Sequence, residues 1–319
     1  ENSLDAGATQ IDVLIEDGGR RLMRVRDDGT GIAVDELTLA VAPHATSKLD
    51  TPEQLGAIQT LGFRGEALAS IASVSRLRVT SRPTIAGSPS AAAAVIEASG
   101  DDVSEPSPRA AAPGTVIEVR DLFFNTPARR KFMRASGTEF GHIHDMVTRM
   151  AMVHHGVSFT LTHGSRKVLE LSPTDEPRQR CIRLLGQELE EALLEFQSSP
   201  SREAEERGAG AALVPTEQRS VWGLAGLPSI ARATTKFQTL CLNGRPIRDR
   251  SLSHAVKEAY RGLIAPDRHP VVVVFLEMDP HLVDLNVHPT KAEVRFRDPN
   301  RAHGLVLTSL RQRLLGADL

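Results

Sequence analysis

Apolar and polar residues alternate over residues 11–15, a turn follows at Asp17-Gly18-Gly19, and the alternation resumes over 22–25. A period of two puts one face of each segment in a core, and the glycine turn joins them as a β-hairpin. The second segment runs straight into Asp27-Asp28-Gly29-Thr30-Gly31, so two carboxylates and two glycines sit at the end of a sheet strand. This stretch constrains the fold more than any other, because it sets both a buried face and the point where the chain must turn.

Local patterns extend the frame. Residues 34–41 and 66–74 read as short helices, 77–81 and 115–119 as strands, and 159–162 with 168–171 as a second hairpin. Residues 139–153 carry a helical rhythm at Ile143, Met146, Val147, Met150 and Val153. Residues 83–113 are rich in Ala, Pro, Ser and Gly and read as a loose, partly strand-bearing excursion of low functional content. A polar stretch at 198–218 interrupts a hairpin between 193–197 and 221–227. The domain boundary is therefore expected earlier, giving a first domain of 1–185 and a second of 186–319. After it come a helix over 252–260, a buried strand over 271–278 and a closing helix over 301–315. No internal repeat is visible. The economical architecture is mixed α/β, built as two-layer α+β sandwiches.

Composition removes several classes. A chain of 319 residues has room for two cores, and a formal charge of −2 excludes a uniformly basic nucleic-acid binder while allowing local basic patches. Cys181 and Cys241 stand far apart without CxxC or Cys/His spacing, which argues against disulfides and zinc and for a reducing cytoplasm. His142, His144, His154 and His155 lack accompanying ligands at suitable spacing and read as core or surface residues. No apolar run reaches membrane-spanning length, so no membrane partner is expected.

Five clusters carry candidate chemistry. Asn2, in ENSLDAGA at the front, offers a neutral oxygen suited to magnesium already held by phosphates; the bland alternative is a helix cap. Asp27 could accept a hydrogen bond from an exocyclic amine such as adenine's. Gly29 and Gly31 would then let the backbone pass close to a flat base, or the run is an ordinary Asp/Gly turn. HATSK, with Lys48, and GFRGEAL, with Arg64 and Gly65 before a helix, could present amides and cations to phosphates. Neither a GxxxxGK[ST] loop nor a GxGxxG fingerprint is present. In DLNVHPTK the proline sets a turn with Lys291 at its tip, either solvated or reaching a terminal phosphate.

Taken in order, ENSLDAGA, DDGTGI, HATSK, GFRGEALASIASVSRL, NTPARRKF, NGR and VNVHPTKAEVRF closely resemble the MutL family of DNA mismatch-repair proteins, over essentially the whole chain. GFRGEALASI and NTPARRKF are specific to that family, whereas Asp-x-Gly-x-Gly is shared with gyrase, heat-shock chaperones and histidine kinases. The single tyrosine, Tyr260, lies in an expected helix, which disfavours a topoisomerase.

The resemblance implies a Bergerat-type ATPase domain followed by a smaller α/β domain with a left-handed crossover. It implies ATP and Mg2+ as cofactors, Asn2 as the magnesium ligand and Asp27 as the adenine-reading carboxylate. Ala6, Gly29 and Gly31 would lie by the base and Thr115 would be a further contact. Thr46, Ser47 and Lys48, with Gly62, Phe63, Arg64, Gly65 and Glu66, would form the two ends of a lid over the phosphates. Lys291 would sense the γ-phosphate. The implied mechanism is a slow ATP-driven switch in which two copies dimerise and close around DNA.

Implied partners are double- and single-stranded DNA, the mismatch-recognition protein MutS, and a downstream endonuclease or helicase, in a bacterial cytoplasm associated with the nucleoid. Arg245, Arg248 and Arg250 are the expected DNA contacts, Arg250 foremost; a solvated charged surface is the alternative for any one of them. The family's Glu-x-x-x-Asn motif would place its general-base Glu three positions before Glu1. Glu1 itself points about 100° away around a helix. The intact protein is therefore expected to hydrolyse ATP, with this stretch alone severely impaired; the alternative is an ATP-binding interaction module without effective hydrolysis.

Overall fold

A computed structural model describes residues 1–43, 67–84, 92–100, 102–198, 219–284 and 294–317. The chain divides into two compact units, Glu1–Ala151 with His155–Asp175, and Met152–His154 with Glu176–Leu319.

The first unit is built on the expected hairpin. Strands β1 (Gln10–Glu16) and β2 (Leu22–Asp27) pair antiparallel, with Asp17, Gly18 and Gly19 all at positive φ in the turn. Strands β3 (Arg76–Arg82), β4 (Ala94–Ser99), β5 (Asp102–Val103), β6 (Ser107–Pro108) and β7 (Gly114–Arg120) follow, then β8 (Ser158–His163) and β9 (Arg166–Leu171). The sheet order is β5-β4-β3-β7-β2-β1-β8-β9, with β6 beside β4. Among the described residues its one parallel pairing is β1–β8. One face is apolar: Leu77, Val79, Ile96 and Val119 pack with Leu37 and Val41 of the Leu37–Val41 helix and Ala72 of the Ala67–Ala72 helix.

Within the excursion over 83–113, the described residues include the strands β4, β5 and β6, in keeping with its partly strand-bearing pattern. Ala94, Ile96 and Ala98 of β4 are buried in this core, while Val95, itself buried, and the exposed Glu97 point to the other face. Small residues carry little periodic signal, yet they fit where a strand lies close under helices.

The second unit holds a five-stranded sheet of order β10-β11-β14-β12-β13, comprising Leu193–Gln197, Arg219–Gly226, Val272–Met278, Gln238–Leu242 and Arg245–Ile247. Strands β10 and β11 pair antiparallel, as the interrupted-hairpin pattern predicts. Strand β12 leads through the Arg250–Ala259 helix to β14, which it pairs in parallel. Val272, Val274 and Leu276 face that helix and the Pro299–Leu315 helix, while Val271, Val273 and Phe275 face Cys181, Ile182 and Leu185. A strand covered on both faces must be apolar throughout, which is why 271–276 is a continuous run rather than an alternating one.

The division between units falls after Asp175, ten residues before the boundary expected from sequence. The Pro177–Leu185 helix lies between the two positions, and its buried residues belong to the second unit's core.

Truncating Leu276, which is 1% exposed, should cost about 2–5 kcal/mol, from lost burial plus the cavity left behind. Trp222 on β11 stacks on Phe275 at 4.2 Å and is the chain's single tryptophan, so its fluorescence follows this unit alone. In urea, Leu276→Ala should move the Trp222 transition to lower denaturant. An unchanged midpoint would mean that the second core does not depend on β14.

Candidate functional site

Three adjacent strands end in one row. Asp27 of β2 pairs with Thr115 of β7, which pairs with Ser81 of β3. All three residues are buried, at 7%, 7% and 1% exposure. A buried carboxylate needs bonding partners, and Asp27 has three. Its Oδ2 accepts from the Ser3 hydroxyl at 2.7 Å, and its Oδ1 accepts from the Gly29 amide at 3.1 Å and the Thr115 amide at 3.3 Å. The Ser81 and Thr115 hydroxyl oxygens lie 2.9 Å apart, and the Ile32 amide donates to Ser81 Oγ at 2.8 Å. An ionised carboxylate has about four acceptor positions, so Asp27 can still accept one more bond.

The Asn2–Asp5 helix lies against this row. Ser3 ties it to Asp27, and the Thr30 amide donates to the Ala6 carbonyl at 3.0 Å. A Cβ on Gly29 would come within 2.8 Å of Ala6 Cβ and of its carbonyl oxygen, so only glycine permits this approach. Gly31 sits at φ +73°, and a Cβ there would meet the Arg82 carbonyl at 2.4 Å. Both glycines therefore allow backbone contact around the strand end, which is the property a flat ligand would also exploit.

Asp28 faces away from that row. Its carboxylate accepts from the Thr9 and Gln10 amides at 2.8 Å each and from the Thr9 hydroxyl at 2.5 Å. Partial burial, the largest single influence, pushes its pKa up, but the bonds from Thr9 and Gln10 together outweigh it and hold the carboxyl below its ordinary value. Asp28 thus fastens the start of β1 to the end of β2.

Of the expected site residues, Asn2, Ala6, Asp27, Gly29, Gly31 and Thr115 fall on the segments joined by these bonds. Thr46, Ser47, Lys48, Gly62, Phe63, Arg64, Gly65, Glu66 and Lys291 lie outside the described residues. Ser3 and Ser81 were not singled out from sequence. Ser3 could have been suspected from its place beside Asn2, whereas Ser81 requires the β3–β7 register. A cavity of about 390 Å³ touches Asp27 and Thr115, but its walls include Arg24, Arg26 and Glu118. By strand alternation these project to the opposite face from Val25 and Asp27, so this basic hollow is distinct from the Asp27 carboxylate site.

The three expected DNA contacts separate. Arg248 and Arg250 are exposed just before and at the start of the Arg250–Ala259 helix. Arg245 is only 3% exposed in β13, so its side chain is not part of that surface. Tyr260 is 1% exposed and donates to the Gly226 carbonyl at 2.8 Å, and burial raises its pKa, so it is a core residue and no nucleophile. Cys181 and Cys241 are free and buried, and burial pushes the Cys181 thiol up to about 12. Among the described residues no helix is long and apolar enough to cross a membrane.

Residues 1–116 match the model of the histidine kinase-, DNA gyrase B- and HSP90-like ATPases, and residues 182–315 match that of the DNA mismatch repair protein C-terminal domain. The backbone superposes on the N-terminal domain of a DNA repair protein with a TM-score of 0.80 at 23% identity, covering 98% of this chain and 91% of that one. It superposes on the Aquifex aeolicus MutL ATPase domain complexed with ADP with a TM-score of 0.60 at 23% identity, covering 96% and 92%. Residues 1–116 thus belong to the histidine kinase-, gyrase- and HSP90-like ATPase type, and a second α/β unit follows in the chain. DNA mismatch repair protein MutL of Azotobacter vinelandii is 48% identical over 99% of this chain and 47% of its own length. That of Pseudomonas paraeruginosa is 46% identical over 98% and 47%. The chain belongs to the MutL family of DNA mismatch-repair proteins, as an ATPase region of that family. It spans about half the length of the curated relatives it matches.

Because the folded pKa of Asp28 is depressed, its ionised form contributes stability above the ordinary carboxylate pKa, about 3.9, and loses it as pH falls through the folded value. Asp28→Asn should therefore be less stable than the parent at pH 7, with the gap narrowing below about pH 4. A pH-independent gap in thermal unfolding would assign the effect to shape rather than charge.

Proposed function

We propose that this chain is the nucleotide-operated part of a DNA mismatch-repair protein, binding ATP with the adenine amine on Asp27. The observation that carries this is the buried Asp27 carboxylate, fixed by three donors at a strand end with one acceptor position left over. Fixed acceptors of this kind select a ligand by its donor, because a base lacking the amine leaves a buried oxygen unpaired. Gly29 and Gly31 hold the neighbouring backbone close, and Thr115 keeps its amide on Asp27.

Asn2, at the first position of its helix, offers the neutral oxygen that suits a magnesium ion shared with phosphates. Magnesium, when bound, would supply charge neutralisation to the phosphate groups. Thr46, Ser47, Lys48, Gly62, Phe63, Arg64, Gly65 and Glu66 are assigned to the phosphates, and Lys291 to the terminal phosphate. The family's working cycle is read as ATP-dependent dimerisation and DNA engagement, followed by hydrolysis and release. A ligand that binds the closed form more tightly than the open one suffices to drive such a switch. Partners are read as MutS, a downstream endonuclease or helicase, and a second copy of the chain. Exposed Arg248 and Arg250 are assigned to DNA phosphates, where binding follows charge and not sequence.

The decisive experiment is titration calorimetry of a non-hydrolysable ATP analogue with magnesium against the parent chain and Asp27→Asn. Loss of binding in the variant, with its fold intact by circular dichroism, is the expected result. Equal affinity would move adenine away from Asp27. For DNA, Arg250→Glu should weaken duplex binding uniformly across sequences and lower the salt slope by about 1. An unchanged slope would remove Arg250 from the interface.

A further inference from the structure

The Arg250–Ala259 and Pro299–Leu315 helices pack against one another in the second unit. His254 and Glu258 are four residues apart on the first helix, so one turn stacks them on the same side. His303 comes from the second helix. The three side chains offer one ligand atom each, all within 4.8 Å of one another. His254 Nδ1 lies 3.2 Å from His303 Nε2, and Glu258 Oε2 lies 3.8 Å from the first and 3.6 Å from the second.

These distances discriminate between two explanations. A simple hydrogen bond between the imidazoles accounts for the 3.2 Å separation. It leaves the carboxylate facing both rings, too far from either to accept a hydrogen bond. A shared cation accounts for all three. A tetrahedral ion with bonds of about 2.0–2.1 Å holds its ligand atoms roughly 3.3–3.4 Å apart. The observed edges of 3.2, 3.6 and 3.8 Å bracket that spacing, so small side-chain movements close the triangle around an ion.

We propose that His254, Glu258 and His303 bind a zinc-class divalent ion that joins these two helices, with its fourth position open to water. Two imidazoles and one carboxylate suit Zn2+, Co2+ or Ni2+. Magnesium, which demands six oxygens, is a poor occupant. Access is direct, because the His254 side chain is 59% exposed. Among the described residues this is the one trio of His, Cys, Asp and Glu side chains so arranged. Histidine spacing within the sequence does not reveal it, because the third ligand comes from a different helix.

The test is calorimetric titration of ZnCl2 into the full chain in a non-chelating buffer containing excess magnesium. One saturable equivalent is expected, weakened about tenfold or more in His254→Ala and in His303→Ala, as loss of a ligand requires. Glu258→Gln should weaken it likewise, and His281→Ala, outside the cluster, should leave it unchanged. Co2+ in place of zinc should give the intense visible absorption of a tetrahedral site in the parent and lose it in His254→Ala. His254 is exposed, so its variant should retain the parent's metal-free melting temperature while losing the zinc-induced rise. Absence of a saturable equivalent in the parent, or equal zinc binding by His254→Ala and His303→Ala, would overturn the assignment.

Discussion

A carboxylate taken out of water must be bonded or neutral, and Asp27 meets that demand through the register of three strands. Because side chains alternate along a strand, slipping β2 by one residue against β7 would turn Asp27 to the other face and bring Arg26 inward. The same slip would turn Met23, which packs against the core under the Leu37–Val41 and Ala67–Ala72 helices, away from it. Core and site therefore depend on one alignment: the pairing that buries Val79 and Val119 also sets Asp27 beside the Thr115 amide. Ser3 extends that dependence to the front helix, since its hydroxyl reaches the carboxylate only when the register is correct.

What the sequence makes legible follows from the range of each interaction. The β1–β2 hairpin, the helical rhythm ending at Val153 and the apolar run of β14 are local patterns, and all three elements form where the patterns lie. Asp27 stands out because glycines surround it. Ser81 does not, because a serine at a strand end becomes a site residue only through its pairing with β7. Arg245 misleads for the converse reason. It belongs to a visibly basic stretch, yet the β12–β13 pairing carries it inside while Arg248 and Arg250 emerge at the next helix. Residues 94–98 are obscured by their alanines, which hold a core position by fitting rather than by hydrophobic contrast.

The two sheets solve burial differently. The face of the first sheet opposite its helices carries charge, with Arg78 bridging Glu97 at 2.7 Å and Glu118 at 3.5 Å, and Arg120 reaching Glu118 at 3.2 Å. Surface ion pairs of this kind contribute only about 0.2–1 kcal/mol each. Cohesion on that side is accordingly modest, and the apolar face with its Asp27 row supplies the rest. In the second unit β14 is apolar on both faces and sits between two helical layers, so it resembles a rigid support.

The two cation sites proposed for the chain raise the question of how each would exclude the other's ion. Donor chemistry answers it without any gate. Asn2 presents a single neutral oxygen, too weak to hold a metal alone, so its ion must arrive with phosphate oxygens and water, a set that favours magnesium. The His254 and His303 nitrogens are poor partners for magnesium and good ones for zinc-class ions. Magnesium's abundance therefore does not fill the histidine site, and zinc-class ions gain little from Asn2 without nitrogen ligands. The nucleotide site would respond to the nucleotide, while the helix pair answers to a different metal, so the two could be occupied independently.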